Sequence, residues 1–239
     1  MNSIRAVLFD FDGTLTLPGS IDFAGIKKAL RCPVNVTILE FIAGLPSAAL
    51  RRQARRILAR FEEAAARRSR PNEGAEDLVR FLKRHRIRRG ILTNNRRASV
   101  ETALRNFARV RPADFDVIIT RDHVQRPKPD PEGILLAAGR LRVPVATLLI
   151  VGDYWYEIEA GRRSGAPTVF LESALTARRP GPGADFTVRA LSEISDIIER
   201  LNRRRKKAPQ DNRVATKANA ERQIKKPDRG QDAFYGHGK

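Results

Sequence analysis

Short runs that are apolar on both faces alternate along this chain with stretches of helical periodicity. The runs are Ile4–Phe9, Arg89–Leu92, Phe115–Ile119, Thr147–Val151 and Pro167–Leu171; the helical patterns are Glu73–His85, Ala98–Phe107, Pro131–Leu141 and Ile158–Ser164. A strand with one wet face alternates apolar and polar residues. These runs do not, so they predict strands covered on both sides. Asp130-Pro131 reads as a helix start, a side-chain cap followed by proline at the first helical position, where no N–H is needed. Strand–helix alternation predicts an α/β fold with a doubly wound parallel sheet, a Rossmann-like core. Ligands of such sheets sit beyond the carboxyl ends of the strands, near the switch in strand order.

One gap breaks the rhythm. Seventy-eight residues lie between Thr14 and Thr93, whereas a crossover between parallel strands needs about a dozen plus a helix. Glu73–His85 can supply that crossover, so residues 16–71 read as an inserted helical subdomain and residues 1–15 and 72–202 as the core. Within the insertion, Ser47–Arg70 places Leu50, Ala54, Ile57, Leu58, Phe61 and Ala65 at helical spacing, with eight arginines over the rest of the surface. An amphipathic helix with a solvated basic face accounts for most of those arginines; one or two facing a phosphate-bearing ligand is the alternative.

Charge and cysteine content narrow the function classes. The 46 Lys+Arg against 27 Asp+Glu leave a net charge of +19, which favours acidic partners and says nothing about fold. Cys32 is the only cysteine, and His85, His123 and His237 are scattered, so neither a disulfide framework nor a Cys-rich or HExxH zinc site is expected. No apolar run reaches the ~20 residues of a membrane span, and Asp10 and Asp12 interrupt the first apolar stretch before a signal peptide could form. A cytoplasmic protein without membrane contact is expected. Residues 203–239 hold 12 basic and 4 acidic residues, a net of +8, with Val214, Ile224, Phe234 and Tyr235 as the large apolar ones. That segment is expected to be a disordered tail able to contact polyanions non-specifically.

The chemistry gathers at the strand ends. The first strand runs into Phe9-Asp10-Phe11-Asp12-Gly13-Thr14, where the turn brings two carboxylates to the sheet edge. Carboxylates so close repel unless a cation or proton lies between them. They read as a nucleophile and an acid/base with a hard cation nearby, or else as an ordinary Asp- and Gly-rich turn. The second strand ends in Thr93-Asn94-Asn95, an anion site at a helix start or simply a cap. After the third comes Arg126-Pro127-Lys128-Pro129-Asp130-Pro131, in which flanking prolines stiffen the backbone around one lysine. The fourth ends in Val151-Gly152-Asp153, with Glu157 four residues on.

Taken together, these four motifs resemble those of the haloacid-dehalogenase-like hydrolase superfamily: Asp-x-Asp-Gly-Thr at 10–14, a hydroxyl at Thr93, Lys128, and Gly-Asp-x-x-x-acid at 152–157, followed by Gly161 and Gly165. The insertion between the first two motifs resembles the helical cap of the phosphoglycolate-phosphatase-like branch, and Gly44-Leu45-Pro46 resembles its substrate-facing loop. The resemblance implies that Asp10 attacks phosphorus to form an aspartyl-phosphate and that Asp12 is the acid and base. It also implies Mg²⁺ on the carboxylates of Asp10 and Asp153 and the backbone carbonyl of Asp12, with Thr93, Asn94 and Lys128 holding the phosphoryl oxygens. An acid two residues after the nucleophile favours phosphoryl transfer over dehalogenation. Glu157 departs from the usual Asp by one methylene, which leaves its role open. Tyr154-Trp155-Tyr156 reads as loop packing or as a wall for substrate.

The expectation is therefore a Mg²⁺-dependent phosphatase acting on a small phosphorylated metabolite, with phosphoglycolate the first to try. A sugar phosphomutase on the same core is the enzymatic alternative. A nucleic-acid-binding protein acting through its basic tail is the alternative of another class.

Overall fold

A computed structural model of the chain describes residues 2–173 and 183–206. Six strands form one parallel sheet: β1 (Ala6–Phe9), β2 (Arg88–Leu92), β3 (Val117–Ile119), β4 (Leu148–Gly152), β5 (Thr168–Leu171) and β6 (Phe186–Val188). Their order is β3-β2-β1-β4-β5-β6. The five strands read from sequence are all present, each within two residues of its expected bounds. β6 was not foreseen: it is three residues long, half exposed at its start, and lies at the sheet edge. Strand order reverses at β1, which pairs with β2 on one side and β4 on the other, so the ligand crevice of a doubly wound sheet falls beside the end of β1.

Successive residues of a strand face opposite layers, and both layers are apolar. Val7, Phe9, Ile91 and Val151 pack against α4 (Ala75–Arg84), α5 (Arg97–Leu104) and α8 (Glu193–Lys206). Ala6, Leu8, Leu92 and Ile150 pack on the other face against α6 (Glu132–Leu141) and α7 (Trp155–Ser164). The start of α6 differs by one residue from the expectation. Pro131 is the residue before the helix, and the Asp130 carboxylate still accepts from a free helix-end N–H, that of Glu132, at 3.0 Å.

The insertion is a separate helical layer of α1 (Phe23–Leu30), α2 (Ile38–Gly44) and α3 (Ala48–Arg68), with its own core of Ile21, Ile26, Ile42, Ala54, Leu58 and Ala65. Thr16 and Pro71 pair as an antiparallel bridge, so the chain leaves and re-enters the core at one place. Ser47 caps α3 by accepting from the Leu50 N–H at 3.2 Å. Its free carbonyls at the other end are met from the core: Asn106 Nδ2 donates to Ala66 O and Ser69 O, both at 3.0 Å. Leu50, expected on the apolar face, is exposed.

α8 continues to Lys206, beyond the boundary expected at residue 202. Its Asn202 holds the start of the chain, accepting from Ile4 N at 2.7 Å and Ser3 Oγ at 3.0 Å. The expected disordered tail falls, from Lys207 on, outside the described residues. Among the described residues no helix is long and apolar enough to cross a membrane.

Candidate active site

β1 delivers Asp10 to the carboxyl edge, where its N–H donates to Val151 O at 2.8 Å and its side chain is buried. The chain then coils through a wide turn over Phe11–Leu15, closed by Thr16 N–H donating to Phe11 O at 2.9 Å. Gly13 takes φ 84° there, and a Cβ on it would lie 2.2 Å from Asp153 Oδ2. Glycine is thus required twice, for the left-handed backbone and for the close approach of a carboxylate. The turn carries Asp12 round to Asn95, whose Nδ2 donates to Asp12 Oδ2 at 2.5 Å. Thr14 Oγ1 donates to Asp153 Oδ1 at 3.1 Å.

Lys128 reaches into the same point from the loop after β3. Its Nζ donates to Asp10 Oδ1 at 2.5 Å and to Leu92 O at 3.0 Å, and pairs with Glu157 Oε1 at 2.5 Å. The lysine is held by more than the stiffness of its prolines. Lys128 N donates to Asn94 Oδ1 and Asn94 Nδ2 donates back to Lys128 O, each at 3.1 Å. The side chain of Asn94, expected to face phosphate, is therefore engaged with the lysine loop. Thr93 is buried, and its Oγ1 accepts from Asn95 N at 3.1 Å.

So many carboxylates crowded at one edge perturb one another. Burial, and then the charge of Asp10, push Asp12 up to about 8, so its carboxyl keeps a proton at neutral pH. Asp153 and Glu157 are pushed up by the same two causes. Burial alone would drive the Lys128 ammonium down, but Asp10 and Glu157 outweigh it and hold it above its ordinary value. The longer Glu157 side chain lies along Gly152, where any Cβ would meet its Cγ at 2.4 Å. One of its oxygens reaches Lys128; the other, Oε2, is buried without a partner.

That orphaned oxygen and the excess of carboxylate over ammonium fit a hard cation. Among the described residues no three acidic, histidine or cysteine side chains close into a complete cage. Mg²⁺ does not need one, because it keeps several waters and takes one or two carboxylates with backbone and phosphate oxygens.

The profile of a family described as haloacid dehalogenase-like hydrolase matches residues 4–165, more than half of the chain. This chain belongs to that family. Among its relatives, an uncharacterised hydrolase of Saccharomyces cerevisiae is 32% identical, the match covering 85% of this chain and 94% of the yeast protein. The N-acetylmuramic acid 6-phosphate phosphatase of Pseudomonas aeruginosa is 29% identical over 82% of this chain and 96% of its own length. Among solved structures, a hydrolase from Pseudomonas syringae superposes with a TM-score of 0.66 at 20% identity, covering 82% of this chain and 99% of that one. A xylulose-(1,5)bisphosphate complex of a mutant of the Rhodobacter sphaeroides protein CbbY superposes with a TM-score of 0.62 at 22% identity, covering 80% and 96%. These last two show a shared fold.

In this hydrolase, Asp10, Asp12, Asp153 and Glu157, together with Lys128, converge at the sheet edge with Thr93 and Asn94 alongside. Tyr154, Trp155 and Tyr156 cluster at the start of α7, with Tyr154–Tyr156 and Trp155–Tyr156 edge-on at ring separations of 4.9 and 4.6 Å. Burial pushes the Tyr156 hydroxyl up to about 12, and the neighbouring Tyr154, Glu157 and Glu40 act in the same direction.

Three residues escaped the sequence reading: Asn95 as the partner of Asp12, and the pair Glu62 and Arg121. Glu62 left a readable sign, since it falls on the apolar stripe of α3 with Ala54, Leu58 and Ala65. Arg121, just past the end of β3, left none.

Proposed function

We propose that this hydrolase is a Mg²⁺-dependent phosphatase of small phosphate monoesters that works through an aspartyl-phosphate on Asp10. The observation that carries this reading is the pairing of two unlike carboxyls two residues apart. Asp10 is ion-paired with Lys128, while Asp12 is held up to about 8 by burial and by the charge of Asp10. One is set up to be an anionic nucleophile and the other a proton donor at neutral pH.

In the first step Asp10 attacks phosphorus in line, the bond from phosphorus to the ester oxygen breaks, and Asp12 gives its proton to the departing alkoxide. In the second, Asp12, now a carboxylate, takes a proton from the water that attacks the aspartyl-phosphate. Inorganic phosphate leaves and both carboxyls return to their starting states. Lys128 and Thr93 would hold the transferring phosphoryl oxygens where they gather charge, with the Asn94 side chain fixing the lysine loop. Asp10, Asp153 and the Asp12 carbonyl would hold Mg²⁺, and the unpartnered Glu157 Oε2 supports a cation at this edge. When bound, the ion would neutralise the carboxylates and stabilise charge on the phosphoryl group.

The relatives guide the choice of substrate. One is a phosphatase of a sugar acid 6-phosphate, and another, from Bacillus velezensis, is the pyrophosphatase PpaX at 27% identity. Phosphoglycolate, sugar phosphates and pyrophosphate should be screened with and without Mg²⁺. Free phosphate that needs the divalent cation and disappears in Asp10→Asn is the expected result. An isomerised sugar phosphate without release would mark a mutase, and cation-independent release would remove the metal from the reading.

A further inference from the structure

The helical insertion sends one carboxylate into the core. Glu62 is 3% exposed, and its two oxygens take both terminal nitrogens of Arg121, Oε1 from Nη1 and Oε2 from Nη2, the latter at 2.8 Å. The same Nη1 also donates to Asn94 O at 2.7 Å, while the backbone N–H of Arg121 donates to Asn95 O at 3.2 Å. Arg121 thus grips two successive carbonyls of the loop after β2. From that loop the Asn95 side chain reaches Asp12, and the Asn94 side chain holds the Lys128 backbone in both directions.

We propose that Glu62 and Arg121 are a positioning pair through which helix α3 of the insertion sets the placement of the proton donor Asp12. The proposal rests on the reading of Asp12 as the acid. Burying an ion pair is a poor way to gain stability, since desolvating two charges offsets most of their attraction. A planar guanidinium forked onto a carboxylate does fix geometry, and here the remaining donors fix a loop. Burial pushes the Glu62 carboxyl up and Arg121 draws it back down, so the pair depends on both partners. Among the described residues Glu62 makes its hydrogen bonds and ion pair with Arg121 and none with Thr93, Lys128 or Asp10, so it positions and does not react.

Esters that differ in their need for an acid separate positioning from simple support. An alkyl phosphate must have its leaving oxygen protonated, whereas p-nitrophenyl phosphate expels a stable phenolate and needs little help. In Glu62→Gln, kcat on the alkyl ester should fall about tenfold or more, the range expected when a catalytic group is displaced by a fraction of an ångström. On p-nitrophenyl phosphate the change should stay within about twofold, with KM unchanged for both. Glu62→Asp keeps the charge but is one methylene shorter; it guards against a variant that does not fold and should show the same ester selectivity in smaller degree. Equal losses on the two esters, or no loss in a folded variant, would overturn the proposal. Asp12→Asn is the control: if it shows no ester selectivity, the assignment of the acid has failed, and the positioning role falls with it.

Discussion

The carboxyl edge of the sheet and helix α3 are both dense in charge, and they handle it in opposite ways. At the edge, Asp10, Asp12, Lys128, Asp153 and Glu157 come from three separate stretches of chain, and burial and their neighbours drive the acids Asp12, Asp153 and Glu157 upward. On α3, Arg52, Arg55, Arg56 and Arg60 are neighbours in sequence, lie exposed, and take part in no ion pair among those found in the described residues. Water screens the second group, while the first is answered by its own members and a few fixed donors such as Asn95 and Thr14. Charge density alone therefore marks nothing; what distinguishes the site is charge that has been desolvated. Glu62 makes the point within one helix, because it is the acid on α3 that lies on the buried face and the one tied to the site.

The contrast can be broken by substitution, and the largest effect belongs to Asp10. Asp10→Asn should reduce phosphate release to background while the purified protein remains folded, because an amide is no nucleophile. Full turnover in that variant would end the mechanism.

Next comes Lys128. Lys128→Ala leaves Asp10 and Glu157 buried together without their ammonium, and breaking a buried pair in this way costs about 3–5 kcal/mol. Denaturant unfolding in the presence of a chelator should show that loss, and turnover should fall with it. Lys128→Arg should fail to rescue turnover, since a planar fork cannot replace a compact ammonium between two carboxylates.

The third test uses pH. An ordinary aspartate titrates at 3.8, whereas Asp12 in the folded protein is held at about 8. Between those values the folded state carries a proton that the unfolded chain has lost. Stability without divalent cation should therefore fall as pH rises through this window and level off above it. Adding Mg²⁺ should flatten the slope, because a cation bound only by the folded state answers the same carboxylates. A metal-free protein that grew more stable from pH 5 to pH 8 would contradict the buried-acid description of the edge.

The smallest effects should lie on the exposed side of the comparison. Arg52→Ala and Arg56→Ala should each shift stability by no more than about 0.5 kcal/mol and leave kcat on a small ester unchanged. Deleting residues 207–239 should likewise spare turnover and melting temperature while lowering retention on a polyanion column. A fall in kcat from either arginine substitution would place this face of α3 at the substrate.

The order of apolar runs and helical periods sufficed for the parallel sheet, because a run apolar on both faces has no stable place except between two layers. The Asp-x-Asp-Gly-Thr, Lys128 and Gly-Asp motifs were legible for a related reason. A doubly wound sheet sends every strand end to one edge, so residues far apart in the chain can be placed together before any coordinates exist. Partners were not legible. That Asn94 holds Lys128, that Asn95 meets Asp12, and that Glu62 crosses from the insertion to Arg121 depend on how a loop, a turn and a helix settle against one another. Periodicity states which face of a helix is buried, but only packing decides what that face meets. In this hydrolase the chemical groups could be read along the chain, while their orientation and protonation came from the tertiary structure, which removes water and brings the charges within reach of one another.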